Sequence, residues 1–545
     1  MLTVFFFAKL WRRANILTDV EFVELRYSGK SAALLRGFRA IYLGLFMNAI
    51  VLGWVHKAME KIFSVVIPGY DSFTLVVIVA LIIAVYSSAS GLLGTARTDS
   101  FQFVFAMIGC VILAVIVVQQ PEIGSLAVLK NKLPESTLEF FPSIGNINAT
   151  DVGTGVFALS VGAFIAHVGL QWWSSWYPGA DPGGGGYIAQ RMMSAKNEKH
   201  SVLATLWFTI AHYTIRPWPW IIVALAALVL LPRSSGVDDL KSENISYYKI
   251  AQTKFNKAEL NKEESSIAAT LEFEHYYDKY ENTVDPGLMY PKLMLRYLPS
   301  GLLGMLIAVF LAAYMSTIAS QLNWGTSYLI NDFYRRFIKK DADEKHYVIV
   351  SRIGIFVVIV FSLLITKYFL TTISGAWEFI INASAGMGAV LILRWYWWRI
   401  NAWSEISAML APLVIYPIAK YGFGMESPIT LYPIVFGTSV VWLIVTFLTK
   451  PVEENKLIEF YKRTYPGGPG WKVISDKIGE NKSSINFGKA FTNWIMGVAL
   501  VYTFLFGLGR LLFENYIQAT LYFFVSAISV YVIYKNFNSE EKALS

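Results

Sequence analysis

Apolar residues in this chain neither alternate nor keep to one helical stripe over most of its length. They come in blocks, such as Leu75 to Ala89 and Val348 to Ile365, that are apolar all round. Lipid is the natural solvent for such a block, and hydrocarbon offers no partner to a backbone amide, so helix is the state it must adopt. A crossing takes about 20 residues. On that length the pattern predicts twelve spans, at 37–60, 73–90, 100–118, 153–175, 202–232, 298–322, 347–367, 372–396, 403–420, 429–448, 488–510 and 515–534. Leu2 to Ala8 is too short to cross and leads into Trp11, Arg12 and Arg13, so residues 1–10 read as the inner remnant of a truncated span. A small interfacial helix is the alternative, and an in-frame apolar extension upstream would decide between them.

Composition agrees with a membrane protein: 545 residues, 55% of them apolar, with the 15% that are charged gathered between the blocks, and a mean hydropathy of +0.48. A net charge of +8 could signal nucleic acid, but its placement follows topology instead. Basic clusters (Arg12 to Arg39, Arg191 to Lys199, Arg335 to Lys345) recur at every second loop, as the positive-inside rule requires. They put 11–36, 91–99, 178–200, 331–346, 397–402, 449–487 and the C-terminus in the cytoplasm of a multi-pass protein of the cytoplasmic membrane. Residues 233–296 then form an extracytoplasmic loop, and 449–487 a cytoplasmic linker to a C-terminal helix pair at 488–535. Met1 to Arg13 runs apolar first and basic last, the reverse of an export signal, and the single Cys110 excludes an internal disulfide.

Ionisable side chains inside lipid are costly and so mark function: Asp99, His167, His212, Arg216, Glu378 and Arg394. Asp99 and Arg394 lie where snorkelling also explains them. Arg216 opens Arg-Pro-Trp-Pro-Trp220, where two prolines interrupt a span and free carbonyls; it either satisfies them or pairs with Glu378 or an anionic solute. Ala313, Ser316, Thr317 and Ser320 fall at i, i+3, i+4 and i+7, on one helix face. Hydroxyls and free carbonyls there would suit a dehydrated Na+, while small residues equally let helices approach closely; spacing leaves both open. Gly183 to Gly186 lacks the Lys-Ser/Thr of a phosphate loop and reads as a hinge near an inner gate. Neither His-Glu-x-x-His nor Gly-x-Ser-x-Gly occurs, which argues against an enzyme.

Three runs occur in register: Thr18-Asp-Val-Glu-Phe-Val-Glu-Leu-Arg-Tyr27, Gly91-Leu-Leu-Gly-Thr-Ala-Arg-Thr-Asp99-Ser-Phe-Gln102, and Ser316-Thr-Ile-Ala-Ser320 through Asn331-Asp-Phe-Tyr-Arg335. Together they resemble the sodium:solute symporter family over residues 1–448. The resemblance implies an all-α polytopic protein with a LeuT-like inverted-repeat core of five plus five helices, at 11–448, and extra C-terminal helices. It implies sodium-coupled symport of a small organic solute by alternating access, with Na+ at Ala313, Ser316 and Thr317 on the eighth core helix and Asp99 on the ion's exit path. Tyr187 matches an inner-gate tyrosine. Trp173, Trp176, Tyr213, Trp377 and Glu378 are candidates for the solute cavity, though the first two could equally anchor at the interface. Where the sugar-transporting branch carries a glutamine and a lysine, Trp377 and Tyr213 stand here, so a plain hexose is disfavoured. A sugar, sugar acid, polyol, amino acid or carboxylate all remain, with the bilayer as the other partner and neither nucleic acid nor an obligatory protein partner expected.

The first core helix, which in the family supplies the remaining sodium ligands, has no counterpart in this reading. Poor coupling is therefore expected of the chain as written, to be tested by sodium-dependent uptake against a chain extended upstream. Three alternatives stay open: proton coupling through His167, His212 or Glu378, a transporter-like solute sensor that moves nothing, and an inactive truncated remnant.

Overall fold

The computed structural model describes residues 1–16, 18–89, 92–139, 141–144, 158–176, 181–231, 285–370, 372–480, 482–483 and 485–544. Its principal helices are α1 (Ala8–Ala14), α2 (Phe22–Arg26), α3 (Gly29–Val66), α4 (Ser72–Ala89), α5 (Leu92–Val118) and α6, built of Val161–Ile165, Ala166–Gln171 and Trp172–Ser174. Then come α7 (Gly186–Met193), α8 (Glu198–Leu230), α9 (Met289–Tyr297), α10 (Ser300–Ile338), α11 (Glu344–Tyr368), α12 (Ile373–Ser384) and α13 (Met387–Tyr396). The chain ends with α14 (Ala402–Gly422), α15 (Leu431–Leu448), α16 (Glu454–Thr464), α17 (Lys472–Ile478), α18 (Phe487–Leu512) and α19 (Tyr516–Leu544). The protein is an all-α, multi-pass integral membrane protein.

Among the described residues nine helices are long and apolar enough to cross a membrane, and the differences from twelve predicted spans have local causes. Of the predicted span 73–90 the helix α4 runs up to residues 90–91, which lie outside the described residues, as does 153–157. The predicted span 372–396 is two helices, α12 and α13, bent by 50°. The bend sits at Gly386, whose φ of 92° is a left-handed conformation, and its amide donates to the Ser174 carbonyl at 2.9 Å. Ser384 completes the junction, its hydroxyl accepting from Trp176 N at 2.9 Å and donating to Trp176 O at 3.2 Å. The unwound end of α6 thus supplies partners for backbone groups that a break in a span would otherwise strand.

At Arg216-Pro-Trp-Pro the expected interruption is instead a widening: the turn Ala211–Ile215 takes i→i+5 bonds, Arg216 N reaching Ala211 O at 3.1 Å, and α8 continues. α10 also runs 16 residues past the predicted end at 322, as an amphipathic extension with Tyr328, Ile330 and Asp332 buried. It is flanked by α3, α4, α5 and α11.

The N-terminal segment is built into the core. Val4, Ala8, Leu10 and Trp11 are fully buried, and Trp11, read as an interfacial aromatic, donates to Gly183 O at 2.8 Å. α18 closes over it, with Gly497 against Met1 and Phe5. The stretch 449–487, read as a linker, carries α16 and α17, whose Phe460, Tyr461 and Trp471 are buried beneath α13, Trp471 donating to Trp395 O at 2.7 Å. Of the predicted loop 233–296, only residues from 285 onward lie among those described.

Candidate functional site

Ala313, Ser316 and Thr317 lie together on α10, Ala313 exposed and the two hydroxyl residues half-buried. Thr317 Oγ1 donates its hydrogen to Ala313 O at 2.9 Å. A threonine that has spent its proton inward presents only lone pairs outward, while the Ala313 carbonyl already accepts both this hydroxyl and the Thr317 amide of its own helical turn. That is the polarity a cation needs and an anion does not. Asp99 belongs to α5 and Tyr187 to α7, but the side chains of both lie outside the described residues.

The expected cavity residues separate into three places. Trp377 stacks on Trp54 of α3, ring centroids 4.3 Å apart and 16° from parallel. Next to it Glu378 is paired with Lys420 at 2.8 Å, and Lys420 also donates to Tyr416 at 3.2 Å. The pair is about one third exposed. Trp176 is instead 1% exposed at the α12–α13 bend, and Tyr213 is half-exposed with its ring edge on His212. Trp173 donates to Gly169 O at 2.6 Å within its own helix.

Arg216 does not reach Glu378. It bonds His212 Nδ1 at 2.7 Å and lies over Trp220 at 4.8 Å, while Glu378 has its own cation. His167 bonds Gln171 at 2.5 Å. The three groups considered for proton coupling thus sit in three separate contacts. Lys420 was passed over by the sequence reading as the last residue of a predicted span.

A buried ion cluster on the predicted cytoplasmic side is the feature that sequence reasoning missed. Glu405 on α14 accepts from Arg39 at 3.0 Å, from Arg394 at 3.5 Å and from Tyr27 at 2.6 Å. Arg394, a candidate intramembrane charge for which snorkelling is the alternative explanation, is fully buried and lies over Phe22 at 4.5 Å. Arg26 donates to the carbonyls of Arg394, Trp397 and Trp398 at 2.9, 3.0 and 3.1 Å. Arg39 also faces Asp181 at 3.8 Å. Burial, reinforced by the charge of Asp19, pushes the Asp181 carboxyl up to about 7. Asp19 accepts from Gly186 N at 2.8 Å and from the Tyr328 hydroxyl, joining the first loop to α7 and to the lower part of α10.

The glycine run is part of this packing. Gly183, at φ 85°, is approached so closely that a Cβ would sit 2.5 Å from Leu391 O, and residues 181–186 are buried. An apolar cavity of about 330 Å³ between α8 and α9, lined by Ile221, Leu225, Pro286 and Tyr290 among others, shares no residue with either site.

Similarity to known proteins fits this geometry. The osmoregulated proline transporter OpuE of Bacillus subtilis is 30% identical over 156 residues, covering 27% of this chain and 30% of its own. The sodium/glucose cotransporter 1 of Mus musculus is 24% identical over 493 residues, 83% of this chain and 66% of its own, and the sodium/glucose cotransporter 4 of Danio rerio is 24% identical over 75% and 57%. This chain therefore spans less than two thirds of the length of these relatives. A solved Na+-coupled sialic acid symporter, in a substrate-bound outward-open state, superposes with a TM-score of 0.54 at 16% identity, over 83% of this chain and 81% of that one, which identifies the fold as LeuT-like. Relatives of this kind are transporters, not enzymes. The sequence profile of the sodium:solute symporter family matches residues 1–258 and 280–411, and the chain belongs to that family.

Proposed function

We propose that the protein is a secondary transporter in which Na+ entering at the Ala313, Ser316 and Thr317 face of α10 drives movement of a small organic solute. The observation that carries this reading is the orientation of Thr317, whose inward-donated proton leaves oxygen lone pairs on an open helix face. Hard cations of this kind take roughly six oxygens, so the α10 face is one contributor to a shared shell. The solute sits against the Trp54–Trp377 stack, with Glu378 and Lys420 as the polar groups that orient it. A rigid aromatic face beside an ion pair suits a ring-bearing or zwitterionic solute better than a bare alkyl acid.

Binding of both favours closure of the outer side, and rocking of one helix group against another releases them to the cytoplasm. Asp99, on α5, is assigned to the ion's route out on the family resemblance of its Thr-Asp-x-x-Gln motif. Uptake into proteoliposomes tests the proposal, with an inward Na+ gradient against an equal K+ gradient and a panel of proline, myo-inositol, glucose and sialic acid. Accumulation of one of them that requires Na+ and is lost in Thr317→Ala supports it. Uptake that follows a proton gradient and ignores Na+ would overturn the choice of ion.

A further inference from the structure

About 100° round α10 from Ala313 runs a second stripe, Tyr314, Gln321 and Gly325, at which the helix is hydrogen-bonded or closely packed against its neighbours. At its upper level His56 of α3 is fully buried between Tyr314 and Ser362 of α11, with Nδ1 2.7 Å from the Tyr314 hydroxyl and Nε2 3.1 Å from Ser362 Oγ. The bond of Ser362 to Ile359 O at 2.8 Å favours one direction for this chain: with its hydrogen placed there, Ser362 accepts from His56. Nε2 therefore carries the proton, Nδ1 is bare, and Tyr314 must donate to it. The result is a directed relay from Tyr314 through a neutral imidazole to Ser362 and the α11 backbone.

At the lower level Asn48 of α3 donates to Gln321 O at 3.0 Å, and a Cβ on Gly44 would stand 2.9 Å from Gly325 O. The two levels are eight residues apart on α3 and seven on α10, the spacing of antiparallel helices in register. α10 is thus pinned to α3 at two points about two turns apart, and at the upper one to α11 as well.

We propose that His56 is a positioning residue for the cation face. Through Tyr314 it fixes the rotation of α10 about its own axis, and with it the direction in which Ser316, Thr317 and the Ala313 carbonyl point. The inference rests on the sodium reading of that face. Histidine suits the post because one ring offers an acceptor and a donor on opposite edges; phenylalanine offers neither, and asparagine can accept from Tyr314 but cannot span to Ser362. A helix free to roll is aligned for only part of the time, and the apparent affinity falls by that fraction.

The test uses the full chain in detergent, with NaCl against choline chloride as the probe and the Na+-induced rise in melting temperature as the readout, so no solute need be known. Tyr314→Phe removes a single oxygen and is expected to raise the half-saturating Na+ concentration roughly fivefold, the scale of one neutral hydrogen bond. His56→Phe is expected to do at least as much, the double variant no more than His56→Phe alone, and His56→Asn to recover part of the loss. An unchanged Na+ midpoint in both Tyr314→Phe and His56→Phe overturns the positioning role while leaving the sodium reading intact. If the wild type shows no Na+-induced shift, the sodium reading fails and this inference with it. Should His56→Phe not fold, Tyr314→Phe and Ser362→Ala carry the same test, because a merely structural defect lowers the sodium-free melting temperature without moving the Na+ midpoint.

Discussion

Replacing Glu405 with glutamine removes a charge from a position that is 1% exposed and faces two arginines, Arg39 at 3.0 Å and Arg394 at 3.5 Å. Arg39 retains Asp181, at 3.8 Å, and the charge of Asp19, and Tyr27 loses the carboxylate it donates to at 2.6 Å. Removing one partner of a buried pair costs roughly 3–5 kcal/mol, because the remaining charge stays desolvated. Unfolding entropy of about 2 cal/mol/K per residue comes to roughly 1 kcal/mol/K for 545 residues, so a loss of about 4 kcal/mol lowers the melting temperature by roughly 4 °C. A chain that keeps its helices on unfolding in detergent gains less entropy, and the fall is then larger. Tryptophan fluorescence during a thermal ramp in detergent reads the shift directly. Because the arginines and the glutamate act as one unit, the double variant Glu405→Gln with Arg39→Gln is expected to fall by less than the two singles together. A Glu405→Gln protein that melts within about half a degree of the wild type, or a strictly additive double variant, would refute the view that this cluster is a coupled, dehydrated unit.

Asp181 supplies a pH dependence of known sign. Its carboxyl, held up to about 7 when folded against an ordinary 3.8, binds a proton more readily folded than unfolded, so its contribution to stability falls as pH rises between those values. The melting temperature of Asp181→Asn relative to wild type should therefore increase from about pH 5 to about pH 8, and a constant difference would count against a buried titrating carboxyl. Lys420→Met breaks a pair that is about one third exposed, so stability should change by no more than about 1 kcal/mol while the KM for solute rises; an unchanged KM would place the pair outside the solute path. Gly386→Ala puts a side chain into a backbone at φ 92° and a Cβ 2.6 Å from Thr438 Cβ, which should cost roughly 1–3 kcal/mol in thermal stability, with part recovered by adding Thr438→Ala.

The membrane spans were legible because lipid demands a run that is apolar all round, a pattern no packing detail disguises. Their breaks were not. Ala385-Gly386 contains no proline, and a glycine in a span carries no local sign that it will turn left-handed; the turn is set by Ser174 and Trp176, some 210 residues earlier in sequence. Conversely, Pro217 and Pro219 announced a break that a single wide turn absorbed. The face of Ala313, Ser316 and Thr317 was visible from helical spacing, whereas the Thr317 hydrogen bond that gives it a polarity required coordinates. The ion cluster was hidden for another reason: its members come from five segments, and each taken alone looks like a cytoplasmic or interfacial charge. Only when α2, α3, α13, α14 and the loop before α7 converge does Arg394 become a buried cation. His56 lies in the predicted span 37–60, and its burial is set by Tyr314 and Ser362, more than 250 residues away in sequence.

The contacts of α10 divide its surface into parts with different freedom. Along the Tyr314 and Gln321 stripe it is hydrogen-bonded to α3, and through His56 to α11, and lower down Tyr328 and Asp332 tie it to Asp19, Arg36 and Thr18. The Ala313 face carries the Thr317 bond to its own helix and an interaction of Ser316. A helix held at three levels by directional bonds resists rolling and sliding, since either motion would strand buried polar groups. Helices that meet their neighbours through apolar surfaces meet no such penalty and can shear by small repacking steps. For the proposed transport cycle, relative motion would therefore be cheapest between the α3, α10 and α11 unit and the α6, α12 and α13 assembly, which is joined internally at the Gly386 bend. The Asp19 and Asp181 contacts lie where loops bring these groups together on the predicted cytoplasmic side, and under the proposed alternating access they would be exchanged for water when that side opens.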